Sequence, residues 1–307
     1  MLILIFDAHW GHPLGQEDTI EGVEITTDRS RFAEADVVIC HLPEWKEDRI
    51  TAIRPWSWEL KPKKRPGQIW VGCSLECEDH YPVMRDARFM QHFDLTMTYR
   101  LDSDIPTTYA IPFGSVANML SALRRPPPPK TEDAPLVSFI SSDVDRNDRR
   151  AYLYELSRYI AIDSYGKFLN NRRLPTDRGR ESKLDVIGAY RFTIAFENAR
   201  SNDYVTEKLF DAFWAGSVPV YFGAPNVEKF VPGSNCYIDA SRFADPKDLA
   251  EHLKRLASDE AAYQRLFAWK QRPLRSHFLT LIEREARPPL TRLSELILGR
   301  LGDCAAL

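Results

Sequence analysis

The sequence lacks long apolar runs. No stretch of its 307 residues reaches the roughly 18 consecutive apolar residues of a membrane-spanning helix. The opening segment MLILIF is too short for one, and it has neither the charged leader nor the small-residue cleavage site of a signal peptide. We interpret it as the first strand of a fold, and we expect no transmembrane segment.

Cysteine and net charge are also scarce. The five cysteines are scattered and odd in number, which argues against a disulfide framework and favours a reduced, cytosolic chain. A formal net charge of -3 carries no nucleic-acid signature, so we expect no nucleic-acid partner. The chain shows no internal repeat.

What the chain does contain is an alternation of short apolar runs with polar, helix-compatible segments. This pattern predicts an α/β fold. Candidate strands in the first part are Leu2–Phe6, Val37–Cys40, Ile69–Cys73 and Leu95–Tyr99. Four consecutive prolines, Pro126–Pro129, favour a stiff extended spacer. We therefore predict an N-terminal domain over 1–125, a linker over 126–134, a second domain over 135–275 and a helical tail over 276–307.

The stretch Tyr190–Gly223 has the pattern strand, polar loop, helix, strand. Apolar residues alternate up to Phe196, turn formers follow, and a helical apolar spacing then runs to Gly216. A helix that starts just after the carboxyl end of a strand is where open α/β sheets bind nucleotides and phosphates. Tyr204, Thr206, Glu207 and Lys208 lie in that loop and first helical turn.

Lys208 stands where the helix dipole is already positive, so an anion there would resolve the conflict. The alternative is an exposed lysine paired with Asp211 or Asp203. Glu207 could accept hydrogen bonds from ribose hydroxyls, or it could simply stabilise the first turn.

Arg149 is a second phosphate candidate, since it lies at a helix start after the Leu136–Ile140 strand and arginine suits bidentate phosphate contact. Arg146 and Arg150 compete with it. The Asp102-Ser103-Asp104 triplet could hold a divalent cation, but the same form recurs by chance at residues 143–145, and we predict no metal site.

Residues 196–223, FENARSNDYVTEKLFDAFWAGSVPVYFG, resemble the signature of the α1,3/α1,4-fucosyltransferase family, glycosyltransferase family 10. Three parts match in order and spacing: 196–198, 203–208, and 218–220 with Gly223. Weaker matches flank them, and the resemblance runs from about residue 65 to about residue 270. Residues 1–60 and the C-terminal tail are not recognisably shared.

The resemblance implies a GT-B type α/β fold, with two Rossmann-like domains facing a central cleft, and an inverting, bacterial-type transferase. The second domain would bind GDP-fucose and the first an acceptor. By position in the motif, Arg149 and Lys208 would bind the diphosphate. Asn198, Tyr204 and Glu207 would contact the donor.

The same resemblance makes Glu76 the proposed general base. Glu76 follows the Ile69–Cys73 strand, and a base must hold its carboxylate within hydrogen-bond reach of the acceptor hydroxyl. The family often continues this glutamate with Ser-Pro, whereas Cys77 and Glu78 follow here. Glu78 is therefore a rival.

The implied reaction transfers L-fucose from GDP-fucose to a hydroxyl of an N-acetylglucosamine or glucose unit in an oligosaccharide, glycolipid or lipopolysaccharide, with an α1,3 link. No metal would be required, although Mn²⁺ or Mg²⁺ could stimulate transfer. Two alternatives stay open: a related GT-B transferase that uses another nucleotide sugar, and a glycan-binding protein that has lost turnover.

The absence of an anchor predicts a cytoplasmic protein. The basic loop Lys61–Arg65 and a helix over Leu290–Leu301 could touch the surface of the inner membrane, or could be ordinary surface and ordinary packing. The oligomeric state is left open.

Overall fold

The computed structural model describes residues 1–6, 20–45, 63–110, 115–174 and 176–305. They form two compact units. Unit 1 comprises 1–108 and 287–307, and unit 2 comprises 109–286. Residues 61 and 62 of the predicted basic loop lie outside the described residues.

Unit 1 is built on a five-stranded parallel sheet in the order β2-β1-β3-β4-β5. Its strands are β1 Leu2–Ile5, β2 Glu24–Thr26, β3 Val37–His41, β4 Ile69–Ser74 and β5 Leu95–Thr98. Four of them agree within one residue with the predicted strands. β2 was not predicted, because its three residues, Glu-Ile-Thr, are at most half-buried and give no apolar run.

Unit 2 has a second parallel sheet in the order β10-β9-β8-β6-β7. Its strands are β6 Leu136–Ser138, β7 Ile162–Ser164, β8 Phe192–Phe196, β9 Val218–Phe222 and β10 Ile238–Asp239. Numbered along the chain from its own first strand, each sheet has the order 2-1-3-4-5. Doubly wound folds of this order bind ligands at the carboxyl ends of the first and third strands, where the order reverses.

The helices of the described residues cover the sheet faces. They are α1 Ala87–Met90, α2 Val116–Arg124, α3 Arg149–Ser157, α4 Arg180–Ala189, α5 Glu207–Ala215, α6 Pro246–Ser258, α7 Glu260–Arg265, α8 Ser276–Glu285 and α9 Pro289–Ala305. Between β2 and β3 the chain also makes a short 3₁₀ turn, Arg29–Ala33. Within these residues no helix has both the length and the apolar character needed to cross a bilayer.

The last helix belongs to unit 1. Leu290, Leu293 and Ile297 of α9 are buried in a cluster with residues of the first sheet, among them Ile3 and Val71. This packing accounts for the apolar face of the tail that was predicted from the sequence. It favours an ordinary structural role for that face over a membrane contact.

The two units do not divide where the proline run predicted. The chain from Tyr109 onward, including α2, belongs to unit 2. Arg124 of α2 donates to the carbonyls of Lys270 and Arg272 at 2.7 and 2.5 Å, and Lys270 Nζ donates to Leu123 O at 2.7 Å. These bonds fix α2 to the later part of unit 2. Residues 109–134 are therefore part of that unit.

The proline run itself packs on unit 2. Gly216 has φ 71°, and a Cβ built on it would lie 2.8 Å from Pro128. Next to the run, Lys130 Nζ donates to the carbonyls of Gly188 and Gly216 at 2.8 and 2.7 Å, which are the ends of α4 and α5. The stiff proline run therefore packs against the C-terminal ends of α4 and α5.

Candidate active site

The carboxyl ends of β6 and β8 meet at the switch point of the second sheet. The loops that follow them are joined by two hydrogen bonds. Arg146 N donates to Asn198 O at 2.8 Å, and Asn147 Nδ2 donates to Glu197 O at 3.0 Å. The residues singled out in the sequence on either side of this point thus belong to one local structure.

Glu197 closes the loop after β8. It is fully buried, and its backbone N–H donates to Phe222 O of β9 at 2.8 Å. Its Oε1 accepts the Thr206 N–H and its Oε2 accepts the Thr206 hydroxyl, both at 2.7 Å. Burial raises the pKa of Glu197. Thr206 is the N-cap of α5, so one carboxylate ties the end of a strand to the start of a helix.

A second pair of hydrogen bonds holds the middle of the same loop. Asp203 N–H donates to Asn226 Oδ1 at 2.9 Å, and Asn226 Nδ2 donates to Asp203 Oδ1 at 2.7 Å. Asp203 has φ 64°, a left-handed conformation that aspartate tolerates better than most residues. The loop 197–206 is therefore fixed at its ends and near its centre before any ligand binds.

Lys208 lies in the first turn of α5 with its ammonium next to this carboxylate. Its Nζ donates to Thr206 Oγ1 at 2.7 Å and to Glu207 Oε1 at 3.2 Å, and it lies 3.4 Å from Glu197 Oε2. Burial lowers the pKa of Lys208, but the charges of Glu207 and Glu197 outweigh it, and the pKa is raised. Lys208 is thus a fixed cation at a helix N-terminus.

The pairing of Lys208 with Asp211 or Asp203, the alternative considered from the sequence, is not what the structure shows. Asp211 is buried and lies 2.7 Å from Arg180 and 2.8 Å from Lys183 of α4. Asp203 is engaged with Asn226.

Glu207 is ionised and partly open to solvent. Its side chain is 40% exposed. Burial raises the pKa of Glu207, but the charges of Lys208 and Lys183 outweigh this effect and hold the pKa at about 2. A carboxylate kept ionised in this way can accept hydrogen bonds from sugar hydroxyls at any physiological pH.

Asn198 offers an acceptor that is not satisfied within the protein. Its Oδ1 is buried and has no hydrogen-bond partner among the described residues. A buried acceptor in this state costs free energy until a donor reaches it. Tyr204, in the same loop, is buried and packs edge-to-face on Tyr109 with ring centroids 6.3 Å apart.

Arg149 begins α3, as expected, but the residue is only 1% exposed. It donates to Phe196 O at 3.0 Å and to the carbonyls of Ser142 and Val144 at 3.1 Å. Burial lowers the pKa of Arg149. In this arrangement it braces the loop after β6 against the end of β8, and its contact with a diphosphate stays a prediction.

The two competing arginines are more exposed than Arg149. Arg150 lies over the Phe168 ring at 4.7 Å and 3.5 Å from Asp143, and Arg146 is exposed.

In unit 1, Glu76 follows β4 by two residues. The Ser74 hydroxyl accepts from Glu76 N–H at 3.0 Å and donates to Glu76 O at 2.9 Å, which fixes the backbone. The carboxylate lies 2.9 Å from His80 Nδ1, and the side chain is 32% exposed. The carboxylate is thus held in place and partly accessible, and its role as a base stays a prediction.

Glu78, the rival, is placed differently. It accepts from the Tyr99 hydroxyl and from Arg100 Nη1, and its side chain is 15% exposed. These bonds give Glu78 a structural role between the turn and the end of β5. Of the two glutamates, Glu76 is the more open to a substrate.

The Asp102-Ser103-Asp104 triplet is engaged within the protein. Arg100 donates to both Asp102 oxygens at 2.8 Å, and Asp104 Oδ2 accepts from the Thr96 N–H and hydroxyl at 2.8 and 2.9 Å. Across the described part of the chain, no group of three or more His, Cys, Asp and Glu side chains could hold a metal ion.

Sequence reasoning gave no role to Glu197 or Thr206, although both lie in the stretch that it singled out. The five-residue strand β8 is buried throughout, and a glutamate placed directly after such a strand is itself a candidate buried carboxylate. That signal was present in the sequence. No comparable signal indicated that Glu197 would pair with Thr206, nine residues later.

Comparison with solved structures shows the class of fold. A crystal structure of an α1,3-fucosyltransferase matches with a TM-score of 0.60 and 16% identity, covering 89% of this chain and 80% of that one. A second, of an α1,3-fucosyltransferase with GDP, gives a TM-score of 0.51 at 16% identity, covering 80% of this chain and 72% of that one. The chain thus has the GT-B type of α/β fold.

Sequence comparison shows the family. Residues 129–291 match the C-terminal region of glycosyltransferase family 10 (fucosyltransferase), and residues 1–110 match the fucosyltransferase N-terminal region. The chain belongs to glycosyltransferase family 10. The match to residues 1–110 extends the family to the segment that showed no recognisable resemblance.

Named relatives are found in animals and plants. GDP-fucose protein O-fucosyltransferase 3 of Xenopus laevis is 44% identical over 141 residues, 44% of this chain and 30% of that protein. A putative fucosyltransferase-like protein of Arabidopsis thaliana is 35% identical over 242 residues, 78% of this chain and 45% of that protein. Alpha-(1,3)-fucosyltransferase 4 of mouse is 29% identical, covering 87% of this chain and 68% of that protein. The chain therefore spans less than half the length of the first two relatives.

Proposed function

We propose that this protein transfers L-fucose from GDP-fucose to a hydroxyl of an N-acetylglucosamine or glucose unit in a glycan, forming an α1,3 link with inversion. The observation that carries the proposal is the Lys208 cluster at the start of α5, beside the unsatisfied Asn198 acceptor and the ionised Glu207. A fixed cation at a helix N-terminus suits a diphosphate.

The cluster suits the donor in two respects. The Lys208 ammonium and the α5 N-terminus would stabilise the charge that develops on the departing diphosphate, which is the main electrostatic demand of the reaction. Asn198 Oδ1 and the Glu207 carboxylate would accept hydrogen bonds from hydroxyls of ribose or fucose. Arg149 would contribute through the loops that it braces or, after release from its carbonyls, by direct contact.

The reaction is a single displacement. The acceptor oxygen attacks the anomeric carbon as Glu76 takes its proton, and the bond from that carbon to the diphosphate oxygen breaks with its electrons passing to GDP. The β-linked donor becomes an α-linked product. The 32% exposure of Glu76 and its fixed backbone support this assignment over Glu78. No metal takes part in the proposed step, and Mn²⁺ or Mg²⁺ would act at most as a stimulant.

A protein hydroxyl is a second candidate acceptor. It is supported by the 44% identity to a frog GDP-fucose protein O-fucosyltransferase over 141 residues. The donor would be the same, and the acceptor would be a serine or threonine hydroxyl of a protein. Two predictions from the sequence stay open. One is a glycolipid or lipopolysaccharide acceptor, and the other is a bacterial, cytoplasmic location at the periphery of the inner membrane.

A donor and acceptor screen tests the proposal. The protein is incubated with GDP-fucose, GDP-mannose or UDP-galactose, and GDP or UDP release is followed with N-acetyllactosamine, lipopolysaccharide and folded protein domains. Release with GDP-fucose and N-acetyllactosamine is expected. Release with another nucleotide sugar alone would overturn the choice of donor, and binding of a glycan without any release would favour a glycan-binding protein.

The product and the metal dependence are checked in the same assay. NMR of the fucosylated product reports the linkage position and the anomeric configuration, and a β-linked product would contradict inversion. Transfer is expected to persist in EDTA. Loss of transfer that Mn²⁺ restores would revive a metal role for Asp102 and Asp104.

A further inference from the structure

The turn after β4 contains a carboxylate–imidazole pair. His80 Nδ1 lies 2.9 Å from Glu76 Oε2, and the His80 side chain is 6% exposed against 32% for Glu76. The imidazole is thus held inside the protein, and the carboxylate reaches from it toward solvent. Nothing in the proposed reaction so far uses this histidine.

The local backbone explains why the two side chains meet. Cys77 O accepts from the N–H groups of His80 and Tyr81 at 3.0 and 3.1 Å, so the chain makes a tight turn just after Glu76. Because of this turn, the His80 side chain lies next to that of Glu76, four residues earlier. Ser74 fixes the other end of the Glu76 backbone. The base is therefore held both at its main chain and at its carboxylate.

We propose that His80 is a positioning residue that orients the Glu76 carboxylate toward the acceptor and keeps it ionised until the acceptor proton arrives. This inference rests on the proposed function, in which Glu76 is the base. His80 contacts the Glu76 carboxylate and does not itself take the acceptor proton. It acts by restricting the rotamers of Glu76 and by placing a positive charge on one side of the carboxylate.

The electrostatics of the turn agree with this role. Burial lowers the pKa of His80, but the hydrogen bonds with Cys77 and Glu76 outweigh it and raise the pKa to about 9. The raised pKa favours the imidazolium, the form in which Nδ1–H donates to Glu76 Oε2. An imidazolium favours the ionised form of a carboxylate that it touches.

Other titratable groups around the pair do not supply this charge. His41 of β3 also faces Glu76, but burial lowers the pKa of His41 to about 4, so it is neutral near pH 7. Glu44, 3.7 Å from His41, and the Tyr81 phenol are not cations near pH 7. The neighbouring Asp79 is paired with Arg85.

The main test is His80→Gln, with His92→Gln as the matched control because His92 is exposed in the same unit. For His80→Gln we expect kcat to fall at least tenfold and the KM for GDP-fucose to change less than twofold. Because the imidazolium no longer favours the ionised carboxylate, the acidic limb of the pH profile should move up by about one unit. Thermal denaturation checks that the variant is folded.

A second measurement needs no turnover. The His80 resonance, assigned by its loss in His80→Gln, is titrated by NMR in the wild type and in Glu76→Gln. Removal of the carboxylate charge should lower the pKa of His80 by about one unit or more. An unchanged His80 titration would overturn the proposed pairing.

The outcomes separate this inference from the function on which it rests. Transfer retained in Glu76→Gln would overturn Glu76 as the base, whatever His80 does. Transfer lost in Glu76→Gln but unchanged in His80→Gln would overturn the positioning role alone. A fall in kcat with the acidic limb unmoved would show a merely structural histidine and would also overturn it.

Discussion

The Thr206 hydroxyl donates to Glu197 Oε2 at 2.7 Å while it accepts from the Lys208 ammonium at the same distance. The hydroxyl therefore links a buried carboxylate to a partly buried cation across the start of α5. Neighbouring members of a hydrogen-bonded chain polarise one another and fix their mutual orientation. The Thr206 side chain makes no capping hydrogen bond to the backbone of α5, and its oxygen is used in this chain instead.

Thr206→Val should break this link with little change of shape. The substitution leaves Glu197 Oε2 and Lys208 without their shared partner, so we expect the free energy of unfolding to fall by about 1–3 kcal/mol. GDP affinity should fall as well, because the ammonium is no longer held in place. Urea denaturation and calorimetric titration with GDP measure the two effects.

Thr206→Ser, which keeps the hydroxyl, is the matched control and should retain most of the GDP affinity. Equal GDP affinity in the valine variant and the wild type would contradict the proposed role of the chain.

Lys208→Ala tests the phosphate contact directly. A charged hydrogen bond to a diphosphate contributes about 1.5–3 kcal/mol, so GDP affinity should fall by roughly tenfold or more. Lys229→Ala, at an exposed lysine of the same unit, is the control and should bind GDP like the wild type. Calorimetry with GDP alone gives the answer, and an unchanged affinity would remove Lys208 from the donor site.

Much of this site could be predicted from the sequence because its elements are local. The apolar period gave β8 and α5, and Gly216, at φ 71°, ends the helix as predicted. Lys208 could be found from its unfavourable position at a helix start. The role of Glu197 could not, because it depends on bonds to Thr206 nine residues later and to β9.

Arg149 shows a different limit of the sequence. A cation at a helix start predicts an anion site, and the helix does begin at Arg149. Whether the guanidinium meets a ligand or the backbone depends on three carbonyls, two in the loop after β6 and one at the end of β8. No spacing in the chain encodes that choice. The proline run shows the same limit. Its stiffness can be predicted from the four prolines themselves, but the surface on which it packs is formed by residues distant in the sequence.

Lys130 predicts an unusual dependence of stability on pH. Burial lowers the pKa of Lys130 to about 7 in the folded protein, well below the 10.5 of an unperturbed lysine. Between these values the unfolded chain binds more protons than the native state, so the Lys130 contribution to the free energy of unfolding rises with pH. The expected rise between pH 7.5 and 9.5 is about 2 kcal/mol.

Lys130→Met removes the titrating group. The free energy of unfolding of this variant should therefore rise by about 2 kcal/mol less than that of the wild type between pH 7.5 and 9.5. The variant should also be less stable overall, because the carbonyls of Gly188 and Gly216 lose their donor. Lys270, whose pKa burial lowers to about 8, titrates in both proteins. Chemical denaturation at several pH values measures both slopes, and parallel slopes would contradict a lowered pKa at Lys130.

Glu76→Gln and Glu78→Gln form a matched pair, two residues apart in one turn. Glu76→Gln should bind GDP like the wild type and lose transfer by about 10²–10⁴-fold, because an amide cannot take the acceptor proton. Glu78→Gln should keep transfer and lose stability, since Glu78 bonds Tyr99 and Arg100. Single-turnover transfer and urea denaturation on both variants separate the two roles. The reverse pattern, with transfer lost only in Glu78→Gln, would make Glu78 the base and would give Glu76 and its histidine a structural role.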